Sequence, residues 1–441
     1  MKPMSEIAEQ TLRKILNETA VDVIHCLNNT NPDAKEEFLR DSSLPKPHNQ
    51  YGNLEIAQIR HNIRSIDKAQ EILDSHASSA ESACVYKGIL QNNRQENQFI
   101  LANDLYNHSA GGEERALAVE QHSRAAIALY GPVDPGIFWS ILNQKLDAIR
   151  PDSLSREDRR LYDELIEKIG PVEKRACSLF APREETLAAF ASCMNSFFAG
   201  FLRHIPKQQQ VFTAEEVCEI TNEIIREEPK VLDRSWRAVV EPNRPTAETS
   251  TRERTILYPG KRSRGPYSQE DVRAIIVHEL GVHALRSMPF ASHPISALAY
   301  GLPGYAAFEE GLATAAAASV NGKFEYPGLL HYVSIGLAVL LKKNFREVFE
   351  IQVRLERLSG GGSPSQCFDS VQRAFRGTGE LPNNKDLIYL NGNQLVWKFI
   401  ESHINHPADL LHQLFEMGKS NPLDPTYAPL FSEFCKNSEF F

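Results

Sequence analysis

The sequence predicts a mainly α-helical protein with a small antiparallel β-sheet, an α+β fold. Apolar residues recur at helical spacing through long stretches such as 56–73, 113–129 and 214–227. Two shorter stretches, 235–241 (SWRAVVE) and 255–258 (TILY), are rich in β-branched and aromatic residues, as strands are. The chain therefore combines many helices with few strands.

The composition changes near residue 183, which predicts two parts in a chain of 441 residues. Residues 1–183 are predicted to form a mostly helical, highly charged N-terminal region that contains no chemical motif. Residues 184–441 contain both predicted strands and every motif described below. This length can bury a large core, either as two domains or as one elaborated domain.

Residues 278–283 read HELGVH, which is the most informative motif in the chain. They place the imidazoles of His278 and His283 close to the carboxylate of Glu279. Neutral imidazoles bind Zn²⁺ well, and a catalytic zinc takes three protein ligands and keeps one position open. A neighbouring carboxylate can accept the proton of a water that attacks a carbonyl. The motif therefore predicts a catalytic zinc site.

The spacing is HExxxH, one residue longer than the HExxH of most zinc peptidases. On a regular α-helix, residues five apart point about 140° away from each other, so two such rings would not reach one ion. A π-turn, with its i→i+5 hydrogen bond, brings them onto one face. The sequence therefore predicts a π-turn, and Gly281 between the histidines tolerates the altered backbone.

Both flanks of the motif predict helices. Residues 268–271 (SQED) resemble a capping box and precede apolar residues at helical spacing. Residues 308–318 combine an acidic pair, Glu309 and Glu310, with a run of small residues, which predicts a closely packed helix with carboxylates near its N-terminus. One carboxylate from this second helix would complete a His₂Glu zinc site.

These two blocks resemble the tyrosine/phenylalanine carboxypeptidase-like family, whose animal members include the microtubule-associated tyrosine carboxypeptidases. The resemblance is carried by HELGVH at 278–283, with Leu285 and Arg286 after it, and by EEGLA at 309–313. It implies that His278, His283 and Glu310 bind zinc and that Glu279 is the catalytic base. It also implies hydrolysis of the last peptide bond of a peptide or protein C-terminus, with release of an aromatic residue.

The chain departs from the family pattern at two positions. Val282 stands where a Thr or similar residue is expected, which is neutral for metal binding. Glu309 replaces the Gln of the bacterial QEGLA motif, so chemistry alone does not decide which carboxylate binds the ion. Glu310 is preferred because the Gly-Leu-Ala that follows fixes the register.

Two short strands before a metal-binding helix are typical of a zincin-like metallopeptidase, in which an edge strand lies beside the substrate cleft. The substrate's terminal carboxylate needs a cation, preferably an arginine. Lys261, Arg262 and Arg264 are candidates, although a solvated basic loop is an equal alternative. Tyr305, Tyr389 and Arg376 are candidate donors to the oxyanion of the tetrahedral intermediate, and core packing is the alternative for each.

Composition excludes several other classes of protein. The net charge of −9 gives no electrostatic footprint for nucleic acid. The apolar stretch 329–341 is too short to span a bilayer, and residues 1–17 contain no signal-peptide core, so no membrane partner is expected. Seven scattered cysteines without a CxxC motif indicate reduced thiols and a cytoplasmic protein. The oligomeric state is left open.

Three alternatives to a carboxypeptidase remain at this point. The same zinc chemistry could serve an aminopeptidase or an endopeptidase. The chain could be a non-catalytic, regulatory member of the family, although the intact Glu279 argues against this. It could also be a helical interaction protein with a structural zinc, but structural sites usually have four protein ligands and favour Cys.

Overall fold

A computed structural model describes the chain over residues 6–21, 23–29, 31, 33–51, 56–76, 80–173, 178–228, 234–242, 244, 246–260, 265–288 and 296–428. The described part is mostly helical and contains two small sheets, which confirms the predicted α+β class. Lys261, Arg262 and Arg264 lie outside the described residues.

The N-terminal region is helical, as predicted. Its helices are α1 (Glu6–Thr19), α2 (Val23–Leu27), α3 (Ala34–Arg40), α4 (Ile56–His76), α5 (Ala80–His108), α6 (Gly112–Tyr130), α7 (Pro135–Ala148) and α8 (Arg156–Ile169). The stretches 56–73 and 113–129 fall within α4 and α6. A 3₁₀ turn, Pro151–Ser153, precedes α8.

The C-terminal part mixes helices with short strands. Its helices are α9 (Glu184–Phe197), α10 (Ala199–Leu202), α11 (Ala214–Glu227), α12 (Gln269–Ile275), α13 (Leu285–Ser287), α14 (Tyr305–Ser319), α15 (Leu329–Leu340), α16 (Phe345–Ser359), α17 (Pro364–Ala374), α18 (Leu387–His403) and α19 (Pro407–Leu411). Its strands are β1 (Val211–Phe212), β2 (Arg237–Glu241), β3 (Glu248–Ser250), β4 (Thr255–Pro259) and β5 (Tyr267–Ser268). Two π-helical segments, Ile276–Ala284 and His412–Glu416, and a 3₁₀ helix, Ser296–Tyr300, complete the described elements.

The prediction of a purely antiparallel sheet is wrong for the larger sheet, whose strand order is β2-β4-β3. β2 pairs with β4 in parallel, and only β3 pairs with β4 antiparallel. The reason is topological: the chain reverses after β2 and runs as β3 along the far side before β4 inserts between them. β3 therefore becomes an edge strand. The two-stranded sheet, β1 with β5, is antiparallel.

Two hydrophobic clusters contain residues from both sides of the predicted boundary at 183/184. In one, Phe38 of α3 packs edge-on against Phe345 of α16, with ring centroids 5.0 Å apart. In the other, residues of α1, α4 and α5 pack with Leu298 and Leu302. The N-terminal region thus packs directly against the C-terminal part. The division into two domains at 183/184 stays a prediction.

Helices α14 and α18 approach unusually closely where two glycines meet. A Cβ on Gly311 would lie 2.2 Å from the carbonyl carbon and oxygen of Gly392. A Cβ on Gly392 would lie 1.8 Å from the carbonyl oxygen of Ala307. Backbone atoms at such distances have no room to move aside, so this contact fixes the position of α14 and of the acidic pair that it carries.

Among the described residues, no single helix is both long and apolar enough to cross a bilayer, although the bent pair Gly112–Tyr130 and Pro135–Ser153 passes the same test when combined. The predicted apolar stretch 329–341 corresponds to α15. Among the described residues, Cys84, Cys193, Cys218 and Cys367 are free thiols.

Candidate metal centre

The HExxxH motif lies on a π-helical segment, Ile276–Ala284, which confirms the predicted departure from α-helical geometry. The segment extends α12, whose first turn is fixed by a capping box between Ser268 and Asp271. With i→i+5 hydrogen bonding, residues five apart fall on one face. The imidazole rings of His278 and His283 consequently lie side by side, with centroids 4.9 Å apart.

Gly281 has a packing role in addition to its backbone freedom. A Cβ at this position would lie 2.7 Å from Cε1 of the Phe198 ring. Phe198 is buried in the main hydrophobic cluster of the C-terminal part. The glycine therefore lets the π-helical segment pack directly against the aromatic core.

Helix α14 brings Glu310 to the two imidazoles. Its Oε2 lies 3.7 Å from His278 Nε2 and 3.6 Å from His283 Nε2. Ligands at zinc distances of about 2.0–2.1 Å define a tetrahedral edge of about 3.3–3.4 Å. The two distances from Glu310 are therefore close to the edge that a shared tetrahedral ion requires.

The residues present also fit zinc by chemistry. Glu310 Oε2 is buried and has no hydrogen-bond partner among the described residues. A buried oxygen without a partner is costly, so its position at the centre of the His pair indicates a ligand that it would contact. Two neutral imidazoles and one carboxylate are the donor set of His₂Glu zinc peptidases.

Glu309 occupies a different position from Glu310. Its Oε1 lies 3.0 Å from Nδ1 of His283, the ring nitrogen that does not face Glu310. A carboxylate at the second nitrogen fixes the orientation and tautomer of a metal-binding imidazole. The two adjacent acids thus face opposite sides of the same ring, and the geometry favours Glu310 as the ligand.

Buried cations hold Glu309 in place. Arg286, which is 0% exposed, lies 3.4 Å from Glu309 Oε2, and Lys419 Nζ lies 3.3 Å from Oε1. Arg286 also donates a hydrogen bond to the carbonyl of Ser420 at 2.8 Å. Arg286 is therefore a structural ion-pair partner and is not directed at a substrate.

In the metal-free protein, the neighbouring carboxylates of Glu309 and Glu310 favour a protonated, positively charged His283. Burial alone would lower the pKa of His283, but the hydrogen bond to Glu309 and the negative charge of Glu310 outweigh it and raise this pKa to about 10. Burial opposes ionisation of both acids, yet Lys419 and His283 lower the pKa of Glu309 to about 2, and His283 lowers that of Glu310 to about 2. Burial lowers the pKa of His278, which is therefore neutral at pH 7.

We expect zinc binding to release about one proton per ion between pH 6 and pH 8. Zn²⁺ must displace the proton of His283, whose pKa is raised to about 10, so apparent affinity increases with pH by about tenfold per unit in this range. Calorimetric titration in two buffers of different ionisation enthalpy measures the released protons. Competition with a chelator at pH 6, 7 and 8 measures the affinity, and a pH-independent affinity would contradict the expectation.

Glu279 is positioned by the edge strand β3. The hydroxyl of Thr249 lies 2.8 Å from Glu279 Oε2 and 3.1 Å from its backbone carbonyl oxygen. The second carboxylate oxygen, Oε1, has no hydrogen-bond partner among the described residues. Sequence reasoning missed Thr249, because a three-residue polar strand (ETS) carries no periodicity signal.

A large cleft runs over this centre. It encloses about 3020 Å³, well above the roughly 300–1000 Å³ of small-molecule sites, so it has room for an extended peptide. Residues from both predicted parts line it. They include Asn17 and Tyr130 from the N-terminal region, and Glu279, Glu310 and Thr249 from the C-terminal part.

The other predicted substrate residues divide into two groups. Lys261, Arg262 and Arg264 lie outside the described residues, so their role stays a prediction. Tyr305 lines the cleft, and Lys419 Nζ lies 5.5 Å from its ring centroid. Burial raises the pKa of Tyr305, which keeps its hydroxyl protonated and able to donate. Tyr389 and Arg376 line the same cleft.

Lys385 was not singled out from the sequence, although it begins the block KDLIY that contains Tyr389. Its Nζ lies 3.9 Å from Glu310 Oε1 and 5.5 Å from the centroid of the Tyr389 ring. A buried ammonium group therefore stands beside the carboxylate proposed as a ligand. A long-range contact between α14 and the start of α18 creates this neighbourhood, which no local pattern encodes.

Comparison with known proteins gives one result that covers most of the C-terminal part. The model of a family described as microtubule-associated tyrosine carboxypeptidase matches residues 180–433, which is more than half of the chain and includes the whole candidate centre. No curated protein and no solved structure matches the chain. This chain belongs to the microtubule-associated tyrosine carboxypeptidase family.

Proposed function

We propose that this protein is a zinc metallocarboxypeptidase that removes the C-terminal residue, preferably an aromatic one, from peptides or proteins. Membership of the family supports a carboxypeptidase-like hydrolase. The observation that carries the zinc chemistry is the convergence of His278, His283 and Glu310, whose ligand atoms all lie within 4.8 Å of one another. The aromatic preference rests on the family alone.

His278, His283 and Glu310 would hold the ion, with Glu309 orienting His283 from the opposite side of its ring. Bound zinc would supply Lewis acidity, which polarises a carbonyl and lowers the pKa of water. These residues would supply the three protein ligands that a catalytic zinc typically has.

Glu279 is the proposed general base. Thr249 holds its Oε2, which leaves Oε1 to accept the proton of the attacking water. The same oxygen then delivers that proton to the leaving amine as the peptide bond breaks. Tyr305, protonated and on the cleft wall, is a candidate donor to the developing oxyanion.

The sheet supports a zincin-like arrangement. β3 is the edge strand of its sheet and carries Thr249, which contacts the proposed base. A peptide that adds to this edge through main-chain hydrogen bonds would run past Glu279. Specificity for the last residue then requires a feature that closes one end of the cleft.

The direct test is mass spectrometry of peptides incubated with the zinc-loaded protein. Each peptide ends in Tyr, Phe or Leu and is tested in two forms, one with a free and one with an acetylated N-terminus. We expect loss of one C-terminal residue, fastest for Tyr and Phe, and no loss after treatment with a chelator. Cleavage at internal bonds would contradict the proposal and indicate an endopeptidase. Shortening of only the unacetylated peptides would indicate an aminopeptidase. No cleavage of any peptide would favour a non-catalytic member of the family.

A further inference from the structure

Arg376 is a buried cation that forms no ion pair with an acid among the described residues. The side chain lines the cleft, the residue is 8% exposed, and its guanidinium makes no hydrogen bond or ion pair with any described residue. An arginine removed from water in this way is costly unless an anion pairs with it. The guanidinium therefore indicates an anionic ligand that enters through the cleft.

The acid that acts most strongly on Arg376 already has a partner. Asp386, which influences Arg376 electrostatically, forms a two-pronged ion pair with Arg373, with N–O distances of 2.6 and 2.9 Å. Lys385, whose side chain is 12% exposed, adds a second positive charge in the same neighbourhood. If Glu310 binds the metal, Arg376 and Lys385 are left as two positive charges without a matching acid in the described part of the chain.

The backbone around Arg376 is held firmly. Its carbonyl accepts a hydrogen bond from Asn383, and the carbonyl of the next residue, Gly377, accepts one from Asn107 of α5 at 2.8 Å. Gly377 has a φ of +95°, and a Cβ there would lie 2.3 Å from Oδ1 of Asn103. Helix α5 of the N-terminal region thus anchors this turn. The backbone that carries the guanidinium is therefore held in a fixed position.

We propose that Arg376, assisted by Lys385, binds the terminal α-carboxylate of the substrate. The inference rests on the proposed carboxypeptidase function and names the recognition site that this function requires. A planar guanidinium pairs with a carboxylate through two parallel hydrogen bonds, which suits the one group that distinguishes a chain end from an internal bond.

The position agrees with the chemistry. The terminal carboxylate lies one residue beyond the scissile carbonyl, a span of about 3.3–3.6 Å along an extended chain. Lys385 Nζ lies 3.9 Å from Glu310 Oε1. The distance from a proposed metal ligand to this ammonium group is thus similar to the span of one residue. A peptide with further residues after this position has a neutral amide in place of the terminal carboxylate. It would therefore leave both cations without an anion.

The experiment compares each peptide acid with its C-terminal amide in the wild type, Arg376→Gln and Arg13→Gln. Arg13 is a matched control, because it also lines the cleft but pairs with Glu9 at 2.6 Å. We expect the wild type to prefer the acid by at least about 100-fold in kcat/KM. Arg376→Gln should lose most of this preference, mainly through KM, while Arg13→Gln keeps it.

A binding measurement separates this inference from the proposed function. Zinc-loaded Glu279→Gln protein, with and without Arg376→Gln, is titrated against fluorescein-labelled acid and amide peptides, and anisotropy gives the affinities without turnover. If Arg376→Gln keeps the preference for the acid, or if the parent protein has none, the inference is overturned, even if the enzyme remains active. A preference that depends on Arg376 supports it even if no peptide is cleaved. Should Arg376→Gln fail to fold, Arg376→Lys, which retains the charge but not the planar fork, is expected to show a partial loss.

Discussion

Glu279→Gln is expected to lower peptide cleavage by about 1000-fold or more while zinc stays at one ion per chain. The amide is nearly isosteric and still accepts the hydrogen bond of Thr249 through its carbonyl oxygen, so the π-helical segment keeps its geometry. It has no basic oxygen at which to accept the proton of water. The substitution therefore removes the proton transfer and leaves the metal site intact.

Glu270→Gln is the matched control, because it makes the same change on the neighbouring helix α12 at an exposed residue that pairs with Lys323. Metal content by mass spectrometry and single-turnover release of the C-terminal residue are measured on both variants and on the wild type. Full activity in Glu279→Gln would exclude it as the base. Loss of zinc in that variant would instead assign Glu279 to the metal site.

The second large effect concerns the adjacent acids. Glu310→Gln is expected to abolish stoichiometric zinc binding, since it replaces a charged ligand by a weak neutral one. Glu309→Gln is expected to weaken zinc by only about 10–100-fold, which is typical of a residue that orients a ligand. It should instead destabilise the fold by on the order of 3 kcal/mol, because it removes the carboxylate that pairs with the fully buried Arg286.

Zinc affinity by chelator competition and the free energy of unfolding of the metal-free proteins distinguish the two variants. Metal-free protein is essential in the second measurement, since bound zinc would itself stabilise the folded state. If Glu309→Gln loses zinc more severely than Glu310→Gln, the two roles are exchanged. Equal effects on zinc would indicate that both carboxylates contact the ion.

Local sequence determined the helical part of the site. The HExxxH spacing predicted a π-turn, and the segment Ile276–Ala284 is π-helical, because five-residue spacing and one shared face are compatible only in that geometry. The capping box at Ser268 and the helix 214–227 were likewise read from neighbouring residues. Hydrogen bonds and periodicity in helices join residues that are close in sequence, so their signal is contained in short windows.

The same reasoning was partly wrong for the sheet. The two predicted strands exist as β2 and β4, but no local pattern indicated that they pair in parallel with β3 on the outer side. Strand pairing depends on the path of the chain between strands, which is a non-local property. The position of Thr249 beside Glu279, which follows from that path, was for this reason unpredictable.

By itself, the sequence determined the helical character of the chain, the two histidines with their neighbouring carboxylate, and the π-helical backbone that aligns them. Only the tertiary structure decided that Glu310 faces both rings while Glu309 faces the back of one, and that Arg376 lines the cleft without an ion pair to any residue of the described ranges. The physical reason is that these relations arise where α14, α18 and the turn after α17 pack together. Contacts between distant segments depend on the whole core, and a single sequence records the residues that take part but not their partners.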